Sequence, residues 1–166
     1  MPDSTQEKSK KILVHGALGR MGKEVLSAVS ADSSFEIVGA VDLKAEDPVL
    51  TLPDGINKIP ISKSLDSVLE NTNPDVVVDF STHDVVPSLA QIVLNARVNL
   101  VVGTTGITET QCKTIDTLAK ENDVGAIIAP NFALGAVLLL QISREVSRFF
   151  DYAEVIETHH EAKLDA

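Results

Sequence analysis

Short aliphatic runs alternate along the chain with stretches of helical period. Residues 11–16, KILVHG, form a β-rich run that closes on glycine, and in the following RMGKEVLSAVS the apolar Met21, Val25 and Val29 recur at helical spacing. Residues 36–42, EIVGAVD, predict a second strand. The stretch from 43 to 60 holds three prolines and reads as a loop. SLDSVLEN then opens with Ser64 as a helix N-cap. Residues 75–80, DVVVDF, are a continuous apolar run, as expected of a strand covered on both faces. HDVVPSLAQIVLNA predicts a helix that tolerates Pro87 near its first turn. A strand over 98–103 follows, then a helix that Thr108 and Gln111 open as a capping box. A fifth strand is predicted at 124–129, a long helix at 133–150 and a sixth strand at AEVIETHH, 153–160. Strands alternating with helices imply βαβ units with right-handed crossovers. The predicted fold class is therefore α/β, a doubly wound parallel sheet of Rossmann type.

Composition narrows the function classes. At 166 residues the chain suits one domain with a small appendage. A formal net charge of −10 disfavours nucleic acid and anionic membrane as partners, and an aromatic content of 4% argues against base stacking. Cys112 is the single cysteine, so one chain offers no disulfide and no cysteine-based metal site, which fits a reducing compartment. Residues 1–10 are polar with no apolar core, which predicts a disordered leader and not a secretory signal. No run reaches the roughly 18 apolar residues of a membrane helix. A cytoplasmic location is expected.

The turn VHGALGRMG places Gly16, Gly19 and Gly22 between the first strand and the first helix, a G-x-x-G-x-x-G variant of the dinucleotide fingerprint. Gly16 makes the tight turn, Gly19 admits a pyrophosphate to the backbone, and Gly22 allows close packing of helix on strand. The helix N-terminus offers amides and partial positive charge to phosphates. Spacing alone fits a ligand-free strand–helix turn equally well. Asp42, 20 positions after Gly22 at the end of the second strand, changes that, because an acid there accepts from the adenosine ribose hydroxyls. It favours NADH over NADPH, while Lys44 two positions on offsets this and admits NADPH.

Ligands of such sheets bind at the carboxyl ends of the strands. DFSTHD, GTTGIT and APNF end three successive strands there, and Gly103, Thr104, Thr105 and Gly106 bring backbone groups close to a flat nicotinamide carboxamide. Glycine, serine and threonine are also ordinary loop formers. His83 is assigned no role.

Taken together and in order, GALGRMG, DFST, VGTTG, APNFALG and ETHHEAKLDA are similar to the 4-hydroxy-tetrahydrodipicolinate reductases, also called dihydrodipicolinate reductases, over nearly everything from Lys11 to Ala166. The resemblance implies a dinucleotide-binding domain over 11–130 that holds NADH or NADPH through Gly16, Arg20, Met21, Asp42, Phe80, Gly103, Thr105, Ala129 and Phe132. It implies that 131–166 begin an α+β substrate and tetramerisation domain. It makes His159 the proton donor, Lys163 the partner of a substrate carboxylate and His160 a substrate contact. The implied activity is NAD(P)H-dependent reduction of a dihydrodipicolinate-type cyclic imine to tetrahydrodipicolinate, in the diaminopimelate branch of lysine biosynthesis.

Elementary chemistry agrees with those roles. Reduction of an imine dicarboxylate by hydride at carbon needs a proton elsewhere and cations for the carboxylates. Histidine titrates near neutrality, and lysine is a compact positive charge. Adjacent strand residues point to opposite faces, so His159 and His160 do not chelate one metal, and no metal is expected. On composition alone the same segment reads as a solvated polar strand end.

The chain departs from the family pattern twice. Ala133 stands where most relatives carry serine, which removes a hydroxyl near the nicotinamide. The family continues DAPSGTA, whose glycine and threonine bind a substrate carboxylate, whereas the sequence stops at Ala166. Negligible activity is therefore expected of these 166 residues by themselves. The alternatives are a catalytically inactive NAD(P)-binding module, or a two-domain dehydrogenase of the homoserine or aspartate dehydrogenase type.

Overall fold

The computed structural model describes residues 8–129, 131–154 and 156. The chain divides into two units, Met1–Pro130 and Asn131–Ala166. The first is built on a seven-stranded sheet. In chain order its elements are β1 (Lys10–His15), α1 (Arg20–Ser30), β2 (Phe35–Val41), β3 (Val49–Thr51), β4 (Lys58–Ser62), α2 (Leu65–Thr72), β5 (Val76–Asp79), α3 (Val86–Asn95), β6 (Asn99–Val102), α4 (Glu109–Asn122) and β7 (Ala126–Ile128). The strand order is β3-β4-β2-β1-β5-β6-β7, parallel throughout except for the antiparallel edge pair β3–β4. This is the doubly wound α/β fold expected.

Burial explains why the strand runs are continuously apolar. β1 sends Leu13 to one face, into a cluster with Leu65, Val68 and Leu69 of α2, Leu89 and Val93 of α3, and Ile115 of α4. Ile12 and Val14 point to the other face, where Leu26 of α1 and Ile59 and Ile61 of β4 close over them. On α1 the inward stripe is Gly22 and Leu26, with Val25 and Val29 partly buried. The expected stripe member Met21 is exposed instead.

The helix boundaries follow their local chemistry. The Ser64 hydroxyl accepts from the Ser67 amide at the start of α2. Thr108 and Gln111 form both halves of a capping box on α4, with the Thr108 amide donating to Gln111 Oε1 at 2.8 Å. Pro87 lies in the first turn of α3. Strand β1 begins at Lys10, one residue earlier than expected, because the Lys10 amide donates to the Ser34 carbonyl at 2.9 Å.

The segment 43–60 is not the loop its prolines suggest. It carries the hairpin β3–β4, whose turn is held by Asp54 Oδ1 accepting from the amides of Ile56 and Asn57, both at 2.9 Å. Those bonds hold the exposed Asp54 carboxyl below the usual carboxylate range. Lys58 to Ser62 bury Ile59 and Ile61 alternately, so a period of two was present beneath the prolines.

In the second unit, α5 (Leu134–Val146) runs on into a 3-10 turn, Ser147–Phe149, and none of its residues is buried. Of the sixth strand expected at 153–160, the described residues Ala153, Glu154 and Ile156 are not in strand, and the remainder lies outside the described residues. Among the described residues no helix is long and apolar enough to cross a membrane.

Leu13 is fully buried at the centre of the sheet. Leu13→Ala is expected to lower unfolding free energy by about 3 kcal/mol, read as a fall in the urea midpoint at unchanged slope.

Candidate functional site

The chain turns back across β1 between β4 and β5, so the strand order reverses between β1 and β5 and leaves a crevice at their carboxyl ends. The glycine turn lies there. Gly16 has φ +76°, and a Cβ on it would stand 2.7 Å from the Phe80 carbonyl oxygen at the end of β5. Only glycine satisfies both the left-handed backbone and that approach. At Gly22 a Cβ would overlap the Gly16 carbonyl oxygen and Ala17 Cα, so its missing side chain lets α1 sit on the turn itself.

The Gly16 and Ala17 amides donate to the Val41 carbonyl at 2.8 and 3.2 Å, and Gly19 donates to Gly16 at 3.1 Å. Leu18 donates to Asp42 Oδ2 at 2.8 Å. Gly19 caps α1 without a side-chain bond, and among the described residues the amides of Arg20, Met21 and Gly22 have no acceptor. Three free N–H groups at the positive end of an 11-residue helix make an anion site.

Asp42, just past β2, is fixed by two backbone donors, Leu18 to Oδ2 and Lys44 to Oδ1, the latter at 2.9 Å. Its carboxylate therefore tethers the glycine turn to the end of β2 and faces the crevice. The cavity beside it, of about 400 Å³, is lined by His15, Asp42, Lys44, Lys63, Ser81 and Leu89, among others.

Beneath the turn lies a polar cluster that sequence reasoning did not single out. The register pairs His15 of β1 with Asp79 of β5, side by side on one face. Asp79 is fully buried. Its Oδ1 accepts from His15 Nδ1 at 2.7 Å and from the Ser81 amide at 3.2 Å, and its Oδ2 from the Thr104 hydroxyl at 2.8 Å. Because a carboxylate only accepts, the histidine tautomer is the one with hydrogen on Nδ1. The available signal was that His15 and Asp79 are the polar residues closing two apolar runs. Their pairing depended on a register between strands far apart in sequence.

The other expected residues fall as follows. Phe80 lays its ring over Gly103, and the Gly103 amide donates to the Asp79 carbonyl at 2.8 Å. Thr104 is buried with its hydroxyl committed to Asp79, while Thr105 is exposed. Ala129 continues the parallel pairing, its amide donating to Val102 at 2.9 Å. Arg20 and Met21 are exposed at the start of α1. Phe132 is exposed and belongs to the second unit, as does Ala133, the N-cap of α5. His159, His160 and Lys163 lie outside the described residues.

Comparison with known proteins adds family and fold. Residues 10–132 match the family model described as dihydrodipicolinate reductase, N-terminus. A 4-hydroxy-tetrahydrodipicolinate reductase of Dehalococcoides mccartyi strain CBDB1 is 48% identical over 156 residues, which is 94% of this chain and 59% of that protein. A dipicolinate-bound dihydrodipicolinate reductase from Paenisporosarcina sp. TG-14 superposes with a TM-score of 0.76 at 33% identity, over 95% of this chain and 61% of that one. S. aureus homoserine dehydrogenase shares the fold alone, with a TM-score of 0.63 at 16% identity over 75% of this chain and 33% of its own. The chain thus spans about three fifths of the length of the reductases it matches.

Asp79→Ala would leave the His15 ring, the Thr104 hydroxyl and the Ser81 amide without their acceptor. The expected cost is at least about 3 kcal/mol of unfolding free energy by urea titration, well above that of an exposed Asp→Ala control.

Proposed function

The chain belongs to the dihydrodipicolinate reductase family, and from that premise we propose that it binds NADH or NADPH in the crevice at the carboxyl ends of β1, β2 and β5. The whole protein is then an NAD(P)H-dependent reductase of a dihydrodipicolinate-type cyclic imine, yielding tetrahydrodipicolinate for lysine and diaminopimelate biosynthesis. The observation that carries the reading is the glycine turn with three free helix amides on one side and a doubly anchored Asp42 on the other. A pyrophosphate needs the first and an adenosine ribose the second.

The residues present fit such a cofactor. The space that a Cβ on Gly16 would fill stays open, and the amides of Arg20, Met21 and Gly22 face an anion with no protein competitor among the described residues. Asp42 presents its remaining lone pairs to the ribose hydroxyls. Lys44 and Lys63 line the same cavity and offset the carboxylate for a 2′-phosphate, which supports use of both cofactors. Gly103, Thr105, Ala129 and Phe132 are assigned to the nicotinamide half on the family resemblance, and Thr104 on its place in the loop after β6. Once bound, the dinucleotide supplies the hydride.

For the substrate half the support is the resemblance of ETHHEAKLDA. His159 donates the proton that balances hydride delivery, Lys163 holds a substrate carboxylate, and His160 contacts the substrate. On this reading the first unit holds every assigned dinucleotide-binding residue except Phe132, and substrate chemistry begins in the second. On the same resemblance the whole protein is a cytoplasmic homotetramer.

Fluorescence titration should show both NADH and NADPH binding to the 166-residue chain. Lys44→Ala should weaken NADPH by about threefold to tenfold more than NADH, from loss of a charge worth about 1 kcal/mol. An equal effect on the two would reject Lys44 as a 2′-phosphate partner.

The 166 residues alone should show negligible steady-state turnover. In the whole protein, His159→Gln should lower kcat by about 10²-fold or more while leaving the NADH dissociation constant within about twofold. Lys163→Ala should instead weaken dipicolinate, used as a substrate mimic. Unchanged turnover in both variants would reject these assignments.

A further inference from the structure

We propose that His15 and Ser81 form a ligand-facing pair that holds an oxygen of the adenosine diphosphate half of the dinucleotide. This rests on the cofactor reading above and adds two residues to it, outside the glycine turn and Asp42.

Two independent features of the cavity carry the inference. Among the described residues, Ser81 Oγ is the one buried side-chain polar atom with no hydrogen-bond partner. A buried hydroxyl left unsatisfied is costly, so a native protein keeps one chiefly where a ligand or water completes it. Ser81 lines the cavity, and its backbone is pinned by its own amide on Asp79 Oδ1.

The second feature is the ring of His15. Its Nδ1 is spent on Asp79, at 2.7 Å, which fixes the imidazole plane. Nε2 has no hydrogen-bond partner among the described residues and is not among the buried unpaired atoms, so it is an accessible, uncommitted nitrogen on a side chain that lines the cavity. The side chain is 13% exposed, which suits an atom reached from one direction only.

Asp79 orients both members: Oδ1 accepts from the His15 ring and from the Ser81 amide. An unpaired hydroxyl and an unpaired ring nitrogen, on residues that one carboxylate holds through the Ser81 amide and His15 Nδ1, suit an oxygen-rich ligand beside the acid already placed for ribose. The charged groups lining the same cavity are Asp42, Asp66, Lys44 and Lys63. The lysines balance the carboxylates there, so neither ribose nor phosphate is repelled. With its hydrogen on Nδ1 and committed to the buried Asp79, the His15 ring presents Nε2 as an acceptor, which suits a ribose hydroxyl.

The test is a set of dissociation constants for NADH, ADP, adenosine and nicotinamide mononucleotide with wild type, Ser81→Ala and His15→Ala, alongside melting temperatures of the unliganded proteins. Ser81→Ala should weaken NADH and ADP by about threefold to tenfold and leave the mononucleotide unchanged. The unliganded Ser81→Ala protein should melt no lower than wild type, since an unsatisfied hydroxyl has been removed. Affinity and stability would then move in opposite directions, which a structural role does not produce. His15→Ala should weaken the same ligands by a similar factor. For Ser81→Ala, a loss seen with ADP but not adenosine assigns the hydroxyl's contact to the diphosphate and a loss with both assigns it to the ribose. For His15→Ala the loss should be seen with both, and a loss with ADP alone would overturn the role of Nε2 as an acceptor.

If both variants bind NADH within about twofold of wild type, the pair has no ligand role and the inference falls. It falls equally if ADP and the mononucleotide weaken together. Wild type that binds none of the four would overturn the cofactor reading as well, which separates the two failures.

Discussion

The parallel pairing of β1 with β5, in the register that sets His15 opposite Asp79, is the interaction on which the rest of the site depends. The chain visits β2, β3 and β4 before returning to the other side of β1, so this pair is where the winding reverses and where the crevice opens. A slip of one residue would turn His15 and Asp79 to opposite faces and move Leu13 out of the core formed by α2, α3 and α4. It would also misplace the Phe80 carbonyl that Gly16 approaches. Core, turn and polar cluster thus share one register.

A fully buried carboxylate is an expensive way to enforce that register. Its attraction to one partner does not repay desolvation unless its remaining lone pairs are also satisfied. Here they are, by groups from three separate segments: the end of β1, the loop after β5 and the loop after β6. What the arrangement secures is the relative position of strand ends, because each donor loses its acceptor if one end shifts. The exposed pairs Lys113–Glu109 and Lys120–Asp116 on α4 do no comparable work, since water screens them and their side chains lose freedom on pairing.

The division of chemistry follows from the same geometry. Everything described around the crevice binds or orients: free amides, an anchored acid, two lysines at the rim and an uncompleted hydroxyl. Among the described residues no cluster suits a metal ion. On the proposed reading, proton delivery falls to residues of the second unit, where the resemblance puts His159 and Lys163.

Much of this was legible in the residues themselves, because it depends on neighbours in sequence. The alternation of aliphatic runs with helical periods predicted the α/β class. Ser64, Thr108 and Gln111 announced their helices, and GALGRMG with Asp42 announced the turn, since caps and glycine turns are made by residues only a few positions apart. The β3–β4 hairpin was hidden because prolines obscured a short alternation that is stabilised only by pairing. His15 and Asp79 were hidden for a deeper reason: they are 64 positions apart. Which polar strand end meets which is set by strand order and register, and these emerge from the packing of two helical layers on the sheet. The sequence by itself determined most of the elements and the glycine turn; the tertiary structure alone decided the hairpin and which side chains share the floor of the crevice.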